Sequence, residues 1–348
     1  MKTNSACSHD KPNVPRANEV AGQSINLALA CLRFGPGLIV MVLVIILGLS
    51  SPYFFTARNL GNVLAQTAAI AVLATGQHLV ILTRGIDLSV GSVLALSSVV
   101  GALVYRELHS GVLVLAAMIG TGLLAGFING FGYVWGRLPH PFIITLAMLS
   151  IARGLALELA GGAAIPGMPP IVLFLGSGSI CGLPAAGFVA GGVALLLAGV
   201  SWRLVWGRWI YAVGGNPDAA RRVGVPTKGV LLSVYMICGG AAGIGAVLTS
   251  GRTAAGSPLF GNLAELDSIA AVIIGGASFL GGRGHVGNAL TGAIMIGIIR
   301  NALNLLNVDI FFQLIAIGVI IVFAVEADVL RGRLEERFRV IQSLRLKL

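Results

Sequence analysis

Apolar stretches long enough to cross a lipid bilayer recur along almost the whole chain. A helix needs about 20 apolar residues to span the hydrocarbon, and candidate spans lie at 34–50, 63–83, 89–105, 111–134, 141–159, 187–206, 230–250, 266–280, 286–306 and 311–327. Only 10% of the 348 residues are charged, whereas a soluble domain has roughly 25%. The sequence therefore predicts an all-α membrane protein with about ten transmembrane helices. The stretches 89–105 and 266–280 are short enough to be re-entrant or broken instead.

The distribution of lysine and arginine predicts the orientation of these spans. With residue 1 in the cytoplasm, ten spans place 18 of the 23 basic residues in inside segments and three, Arg58, Arg106 and Arg252, in outside loops. Short cytoplasmic loops are enriched in lysine and arginine, so both termini are predicted to be cytoplasmic. This topology also accounts for the net charge of +10 without a nucleic-acid partner.

The chain divides into three predicted regions. Residues 1–33 form a polar cytoplasmic tail without a cleavage pattern,. Residues 34–327 form the membrane domain, which includes a cytoplasmic loop at 207–228. Residues 328–348 form a basic cytoplasmic tail. Within the membrane domain, Gly122-x-x-x-Gly126-x-x-x-Gly130 predicts a helix face that another backbone can approach closely,.

Two parts of the membrane domain are weakly similar. Residues 63–159 and 230–327 have similar lengths and opposite predicted orientations, and Ile86-Asp87-Leu88-Ser89 and Leu266-Asp267-Ser268-Ile269 lie near the start of corresponding spans. In many transporters an inverted repeat places the transport pathway at the interface of its halves. The similarity of four residues suggests such a repeat here, with coincidence an equal alternative.

The cytoplasmic loop carries the signals of one short helix. Asn216 is a favourable N-cap, Pro217 suits the first helical position, and Asp218 complements the positive end of the helix dipole,. Gly224 suits the end of the helix,, which predicts a surface helix of about seven residues. Its small Ala219-Ala220 centre has two interpretations: packing on its own domain only, or fitting a groove in a cytoplasmic partner.

Nucleotide-binding and metal-binding motifs are either absent from this sequence or lie where the required fold cannot form. Gly282-Arg-Gly284-His-Val-Gly287 matches the dinucleotide fingerprint,, but it lies in a short loop between two predicted spans, where no βαβ unit can form. The sequence has no phosphate-binding P-loop, and its cysteines and histidines lack metal-ligand spacing,. We therefore predict that the chain is not an enzyme and binds no metal or cofactor.

From Pro52 to Val325 the chain resembles the permease subunits of bacterial ABC importers of the ribose, xylose and galactose type. Together the matching segments are specific, although each alone is not. They are Ser51–Thr56, Leu79–Thr83, Gly85–Gly91, Gly207–Gly224, Glu265–Val272, Gly275–Gly276 and Asn301–Leu306. Arg84 departs from the pattern, because a small residue is usual there, and the 160–186 loop and the long basic tail also differ.

The resemblance implies a permease in the bacterial cytoplasmic (inner) membrane that imports a monosaccharide or related polyol by alternating access. Its implied partners are cytoplasmic ABC ATPase subunits, an extracytoplasmic sugar-binding protein, and a second permease copy or a paralogue. ATP and magnesium would be used by the ATPase subunits and not by this chain.

The resemblance also implies site residues. The family's coupling loop, which takes up ATPase movement, corresponds to Gly214, Gly215, Asn216, Asp218, Ala219, Ala220 and Arg221. Asp87, Ser89 and Gly91 match the family's signature near the third span and are candidate gating or translocation residues. Further candidates come from residue type alone: Asp267, and the amides Gln66, Asn129 and Asn304, which either bind a hydroxyl-rich solute or form hydrogen bonds between helices.

Four charged residues each have more than one possible role. Asp87 is either a helix cap or a gating residue that pairs with Arg84 or a partner subunit, and Asp267 has the same ambiguity. Arg153 and Arg300 lie within predicted spans, where a charge is costly, so they snorkel, pair locally or line the path.

The alternative function is an ion-coupled secondary transporter of a small polar solute. Such a protein normally carries acidic or histidine coupling sites within its spans. Here the acids Glu158 and Glu326 lie toward span ends, which disfavours this alternative. A membrane-embedded enzyme is disfavoured because no cluster of polar catalytic residues is found.

Overall fold

A computed structural model describes residues 41–42, 44–49 and 51–345. From residue 57 onward the helices are α1 (Ala57–Leu82), α2 (Val90–Leu108), α3 (Gly111–Trp135), α4 (Phe142–Ala160), α5 (Pro170–Ser177), α6 (Ala185–Arg203), α7 (Val205–Gly215), α8 (Pro217–Arg222), α9 (Thr227–Thr253), α10 (Ala264–Ile274), α11 (Val286–Leu305) and α12 (Ile310–Arg345). The two-residue strands are β1 (Ile165–Pro166), β2 (Ser179–Ile180), β3 (Leu183–Pro184) and β4 (Ala255–Gly256). Within the described ranges the protein is thus almost entirely helical, as predicted.

Seven of these helices, α1, α2, α3, α4, α6, α9 and α11, are long and apolar enough to cross a membrane. Three predicted spans have a different outcome. In the stretch 266–280 the only helix is the 11-residue α10. The stretch 311–327 lies in the first half of the 36-residue α12, whose apolar part, Phe311–Glu326, is shorter than the seven spans. The predicted span 34–50 and the predicted tail 1–33 lie largely or wholly outside the described residues.

Four connections meet at one end of the bundle, which we call the basic end: 83–89, 136–141, 204–226 and 275–285. The Gly282 N–H donates to the Leu82 carbonyl (2.8 Å), and the Thr145 hydroxyl, in the first turn of α4, donates to the Ile86 carbonyl (3.2 Å). Lys228 lies 6.0 Å from the centre of the Trp135 ring. The connections assigned to one side of the membrane by their basic residues therefore share one end of the molecule.

The opposite end, which we call the β end, is covered by residues 161–184. There β1 pairs antiparallel with β4, with Ile165 opposite Gly256, and the Gly167 N–H donates to the Ala254 carbonyl (2.9 Å). The two-residue strands β2 and β3 pair with each other. Helix α5 packs closely on α9, because a Cβ on Gly176 would lie only 2.6 Å from the Cα of Gly251.

The core of the bundle depends on close backbone contact between α3 and α9. A Cβ on Gly122 or on Gly126 would collide with the carbonyl oxygen of Gly239 or of Tyr235, respectively. Gly239 faces the Gly122 carbonyl in return. The predicted glycine face on α3 is confirmed, and the small residues let two helices pack at a distance that larger side chains would prevent.

Candidate functional site

Helix α8 at the basic end forms as its sequence predicts. The Asn216 side chain accepts hydrogen bonds from the backbone N–H groups of Asp218 (3.1 Å) and Ala219 (3.0 Å). At the other end Gly224 adopts a left-handed φ of 85°, and the Val225 N–H donates to the Ala220 carbonyl (3.0 Å). The helix has six residues, from Pro217 to Arg222, close to the predicted seven.

The predicted coupling residues separate into an inward and an outward set. Gly214 is buried, and a Cβ there would collide with the Leu82 carbonyl; Ala220 is also buried. The exposed members are Gly215, Asn216, Asp218, Ala219 and Arg221. Of the two alanines at the centre of the helix, Ala220 therefore packs on the permease itself, whereas Ala219 is exposed and can contact a partner.

Sequence reasoning missed one apolar residue of this surface. Val223 is 78% exposed directly after α8, at the basic end, although valine usually lies inside a protein. No pattern in the sequence identifies it, because its exposure depends on how α8 sits on the bundle.

Helix α7, which precedes α8, is attached to its neighbours by polar contacts. The Tyr211 hydroxyl donates to the Gly284 carbonyl (2.8 Å), and burial raises the pKa of this phenol,. The Trp206 indole donates to the Ser233 hydroxyl (2.8 Å) on α9. Arg84 donates to the carbonyl oxygens of Gly214 (2.6 Å) and Gly215. The position of α8 is thus fixed by contacts with α9 and with two other connections.

A second group of predicted residues lies inside the bundle. Asp87, Ser89 and Asn129 are each 1% exposed. The Ser89 N–H (2.9 Å) and hydroxyl (2.6 Å) donate to the Asp87 carboxyl group, and the Asn129 amide donates to the Ser89 hydroxyl (2.9 Å). The structure brings these three residues together into one buried polar cluster, in which the Asn129 side-chain oxygen has no hydrogen-bond partner among the described residues.

The role of Asp87 is clarified by this geometry. Its carboxyl group accepts the N–H of Ser89, the residue before α2, but no side chain accepts a hydrogen bond from the first turn of that helix as a cap would,. It does not pair with Arg84, whose guanidinium binds Gly214 and Gly215 instead. The structure therefore contains neither the predicted cap of α2 nor the predicted pair with Arg84, and pairing with a partner subunit stays a prediction.

Gln77 and Tyr235 belong to the surroundings of this cluster and were missed. With its amide oriented to suit its neighbours, Gln77 donates to the Asp87 carbonyl (3.2 Å) and accepts from the Asp87 N–H (3.1 Å). The buried Tyr235 hydroxyl faces Gly85, where a Cβ would collide with it. A glutamine inside an apolar stretch was the available signal for Gln77.

Helices α2 and α10 are preceded by the non-helical segments 83–89 and 257–263, and the first turn of α2 contacts the segment 257–263. A Cβ on Gly91 would collide with the Gly261 carbonyl and the Glu265 carboxylate, and a Cβ on Gly261 would collide with the Gly91 carbonyl. Gly91 therefore has a steric reason to be glycine. The segment 257–263 is also held by Arg153, which donates to the carbonyls of Pro258 and Phe260.

Asp267 forms a buried ion pair with Arg300 of α11. Two bonds of 2.8 and 2.6 Å join one guanidinium nitrogen to the two carboxylate oxygens. Asp267 is thus a partner of the arginine as well as a residue of the first turn of α10. Arg153 and Arg300 therefore both have partners, but these partners lie in distant parts of the sequence.

Gln66 and Asn304 do not join these groups. Gln66 is exposed on α1, and Asn304 is exposed on α11, where it accepts a hydrogen bond from Gln313 (2.9 Å). Among the described residues, no cluster of histidine, cysteine or acidic side chains could hold a metal ion.

The comparison with known proteins agrees with this architecture. Residues 59–325 match the protein family described as "Branched-chain amino acid transport system / permease component". The chain belongs to this family of permease components. The matched range is close to the range over which the resemblance was recognised from the sequence.

Curated relatives cover most of the permease. The D-allose transport system permease protein AlsC of Escherichia coli is 38% identical over 87% of this chain and 93% of its own length. The ribose import permease protein RbsC of Bacillus subtilis is 40% identical over 85% and 92%, and the fructose import permease protein FrcC of Rhizobium meliloti is 36% identical over 79% of each chain. No solved structure matches the chain.

Family membership and the seven apolar spans identify a multi-pass protein of the bacterial inner membrane. The protein is a transport component and not an enzyme, as predicted from the sequence. Membership of an importer's permease family implies a separate ATP-hydrolysing subunit and a substrate-binding protein in general terms.

Proposed function

We propose that this permease forms the transmembrane path of an ATP-driven importer for a monosaccharide or a related polyol. The observation that carries the proposal is its similarity, over 79–87% of its length, to permeases named for D-allose, ribose and fructose. In the proposed assembly it pairs with a second copy or a paralogue and receives the sugar from an extracytoplasmic binding protein. ATP and magnesium are used by the partner ATPase subunits.

In this proposal the exposed surface of α8 is the coupling site for an ATPase subunit. Asp218, Ala219 and Arg221 are exposed, and Val223 adds an apolar side chain next to them. A capped helix with one small residue at its centre fits a groove in a partner. The contacts of α7 with α9 and with the 83–89 and 275–285 connections then transmit the movement of α8 to the bundle.

We further propose that the path opens and closes where the first turn of α2, which follows the segment 83–89, contacts the segment 257–263. Buried polar contacts hold one segment through Asp87 and Ser89, and Arg153 holds the other. Each segment leads into a helix, and a buried aspartate lies near the start of each helix: Asp87 is three residues before α2, whereas Asp267 lies within α10. This correspondence supports an inverted repeat, in a protein of ten spans with both termini in the cytoplasm.

Co-purification of the partners tests the proposal. We expect the tagged permease, extracted from native membranes in a mild detergent, to retain an ABC ATPase subunit identifiable by mass spectrometry. Ala219→Asp should insert normally but lose that subunit and sugar uptake, because a charge would be buried in the contact. Ala219→Ser, which keeps a small side chain, serves as the matched control and should retain both.

The ion-coupled transporter makes the opposite prediction. A permease that repeatedly purifies as a homo-oligomer without an ATPase subunit, and that transports in response to an ion gradient, would contradict our proposal. The buried carboxyl groups of Asp87 and Asp267 would then be the first candidates for the coupling site,.

A further inference from the structure

Arg84 occupies an unusual position at the basic end. It follows α1 directly and has a left-handed φ of 65°, a conformation that is uncommon for residues other than glycine. The backbone is fixed there, because the Arg84 N–H donates to the Ile81 carbonyl (2.9 Å) and the Gly85 N–H to the Val80 carbonyl (2.9 Å). The guanidinium therefore projects from a rigid turn.

The guanidinium binds the end of α7. Its Nε donates to the Gly214 carbonyl (2.6 Å), and one Nη donates to the Gly215 carbonyl. The last carbonyls of a helix lack partners within the helix, and a cation is favourable there because the helix dipole is negative at its C-terminus. Asn216, the next residue, is the N-cap of α8, so Arg84 holds the joint between α7 and α8.

Other contacts close the same joint. A Cβ on Gly281 would collide with the Arg84 side chain, and a Cβ on Gly282 would lie 2.9 Å from the backbone of Gly215. Both glycines have positive φ. The connection 275–285 thus packs against the aliphatic part of the Arg84 side chain and against the end of α7, although Arg84 as a whole is exposed.

On its other side Arg84 leads into the buried segment 85–91. Gln77 lies within hydrogen-bonding distance of the Asp87 backbone, Asn129 binds Ser89, and Gly91 packs on Gly261. Each step of this segment is held by buried contacts. If Arg84 moves, the residues that follow it would therefore pass this movement to the start of α2 and to the 257–263 segment.

We propose that Arg84 is the positioning residue through which movement of α8 reaches the interior segment 85–91. This inference rests on the proposed coupling function of α8. It assigns to one side chain the link between the ATPase contact and the transport path. Two hydrogen bonds from one planar group carry both position and orientation, which a single ammonium group cannot do.

The test measures sugar transported per ATP hydrolysed. The permease is purified with its ATPase subunits and reconstituted in vesicles with its sugar-binding protein, using as probe whichever of D-ribose, D-allose and D-fructose the wild type accumulates. Arg84→Ala should still retain the ATPase subunits, because the guanidinium binds carbonyl groups of the permease itself. Since charge-assisted hydrogen bonds are lost, we expect the transport-to-hydrolysis ratio to fall about tenfold, and Arg84→Lys should give an intermediate ratio.

Arg137→Ala is the matched control. Arg137 also follows a helix at the basic end, has a left-handed φ of 52° and is exposed like Arg84, but it makes no side-chain hydrogen bond to a described residue. Its ratio should equal that of the wild type. A ratio for Arg84→Ala within about twofold of this control would overturn the inference, even if uptake and hydrolysis fall together, because a purely structural role lowers both.

The two proposals fail in different ways. If the wild type retains no ATPase subunit, the proposed function fails. If the wild type is coupled and Arg84→Ala keeps the normal ratio, only the inference about Arg84 fails. If Arg84→Ala does not accumulate in the membrane, the ratio of Arg84→Lys decides, and a wild-type value overturns the inference.

Discussion

The Asp267–Arg300 pair shows how a charged residue is accommodated inside the bundle. The carboxylate side chain is 6% exposed and the guanidinium 28%. An isolated buried charge is costly, so breaking such a pair by removing one partner is destabilising, whereas removing both is often tolerated. The pair therefore explains why an arginine can lie in an apolar helix.

This pairing predicts non-additive mutants. Arg300→Met alone should destabilise the purified permease by about 3 kcal/mol, because Asp267 would remain buried without its partner. The double variant Asp267→Asn/Arg300→Met should recover most of this loss. Thermal unfolding in detergent measures both, and a double variant that is less stable than Arg300→Met would contradict the argument.

Gly91 makes a second prediction at the scale of one residue. Gly91→Ala places a methyl group against the Gly261 carbonyl and Glu265, so the interior segments must move apart, at a cost of about 1–3 kcal/mol. We expect lower thermal stability and impaired sugar uptake. Gly120→Ala on α3 is the control, because a Cβ there has no atom within 4 Å; equal effects in the two variants would refute the steric explanation.

At the scale of the element, α8 is too short to be stable alone. Isolated helices below about 12 residues are marginal in water, and α8 has six residues. It persists because Asn216 caps its start and Ala220 packs inward. The helix is therefore sensitive to its cap and to its attachment through α7.

The cap gives a prediction for this element. Asn216→Ala removes the acceptor for two backbone N–H groups and should destabilise the helix by about 1 kcal/mol. We expect weaker binding of the ATPase subunit, measured by titration in detergent. Asn216→Asp, which can also cap, should bind like the wild type, and equal weakening in both variants would show that the amide itself contacts the partner.

At the scale of the whole molecule, the two ends of the bundle have different characters. Each connection at the basic end contains at least one arginine, whereas the β end is covered by the uncharged residues 161–184. Positive loops stay in the cytoplasm. The β end is accordingly the surface that we assign to the extracytoplasmic side and to the binding protein.

A native cysteine allows this orientation to be tested. Cys181 is exposed at the β end, whereas Cys238 is buried. In a Cys7→Ser/Cys31→Ser variant, a membrane-impermeant maleimide should label Cys181 in cells whose outer membrane, where present, has been opened. Arg137→Cys with Cys181→Ser should be labelled only after the inner membrane is permeabilised. Labelling of both from the same side would show that the assignment of the two ends is wrong.

The sequence by itself determined the features that depend on neighbouring residues. Apolar stretches predicted the helical membrane domain, the glycine spacing predicted the α3 packing face, and Asn216 and Gly224 predicted the ends of α8. These signals are local, because hydropathy, helix spacing and capping each involve residues within a few positions of one another.

The tertiary structure decided the features that join distant residues. Asp267 meets Arg300, 33 positions away, and Arg84 meets Gly214, 130 positions away; spacing along the chain gives no measure of either distance. Packing also decided that Ala220 lies inside and Ala219 outside, and that the stretch at 266–280 holds only the short α10. Such choices depend on which helix faces lie against each other in the folded bundle, and only the three-dimensional arrangement contains that information.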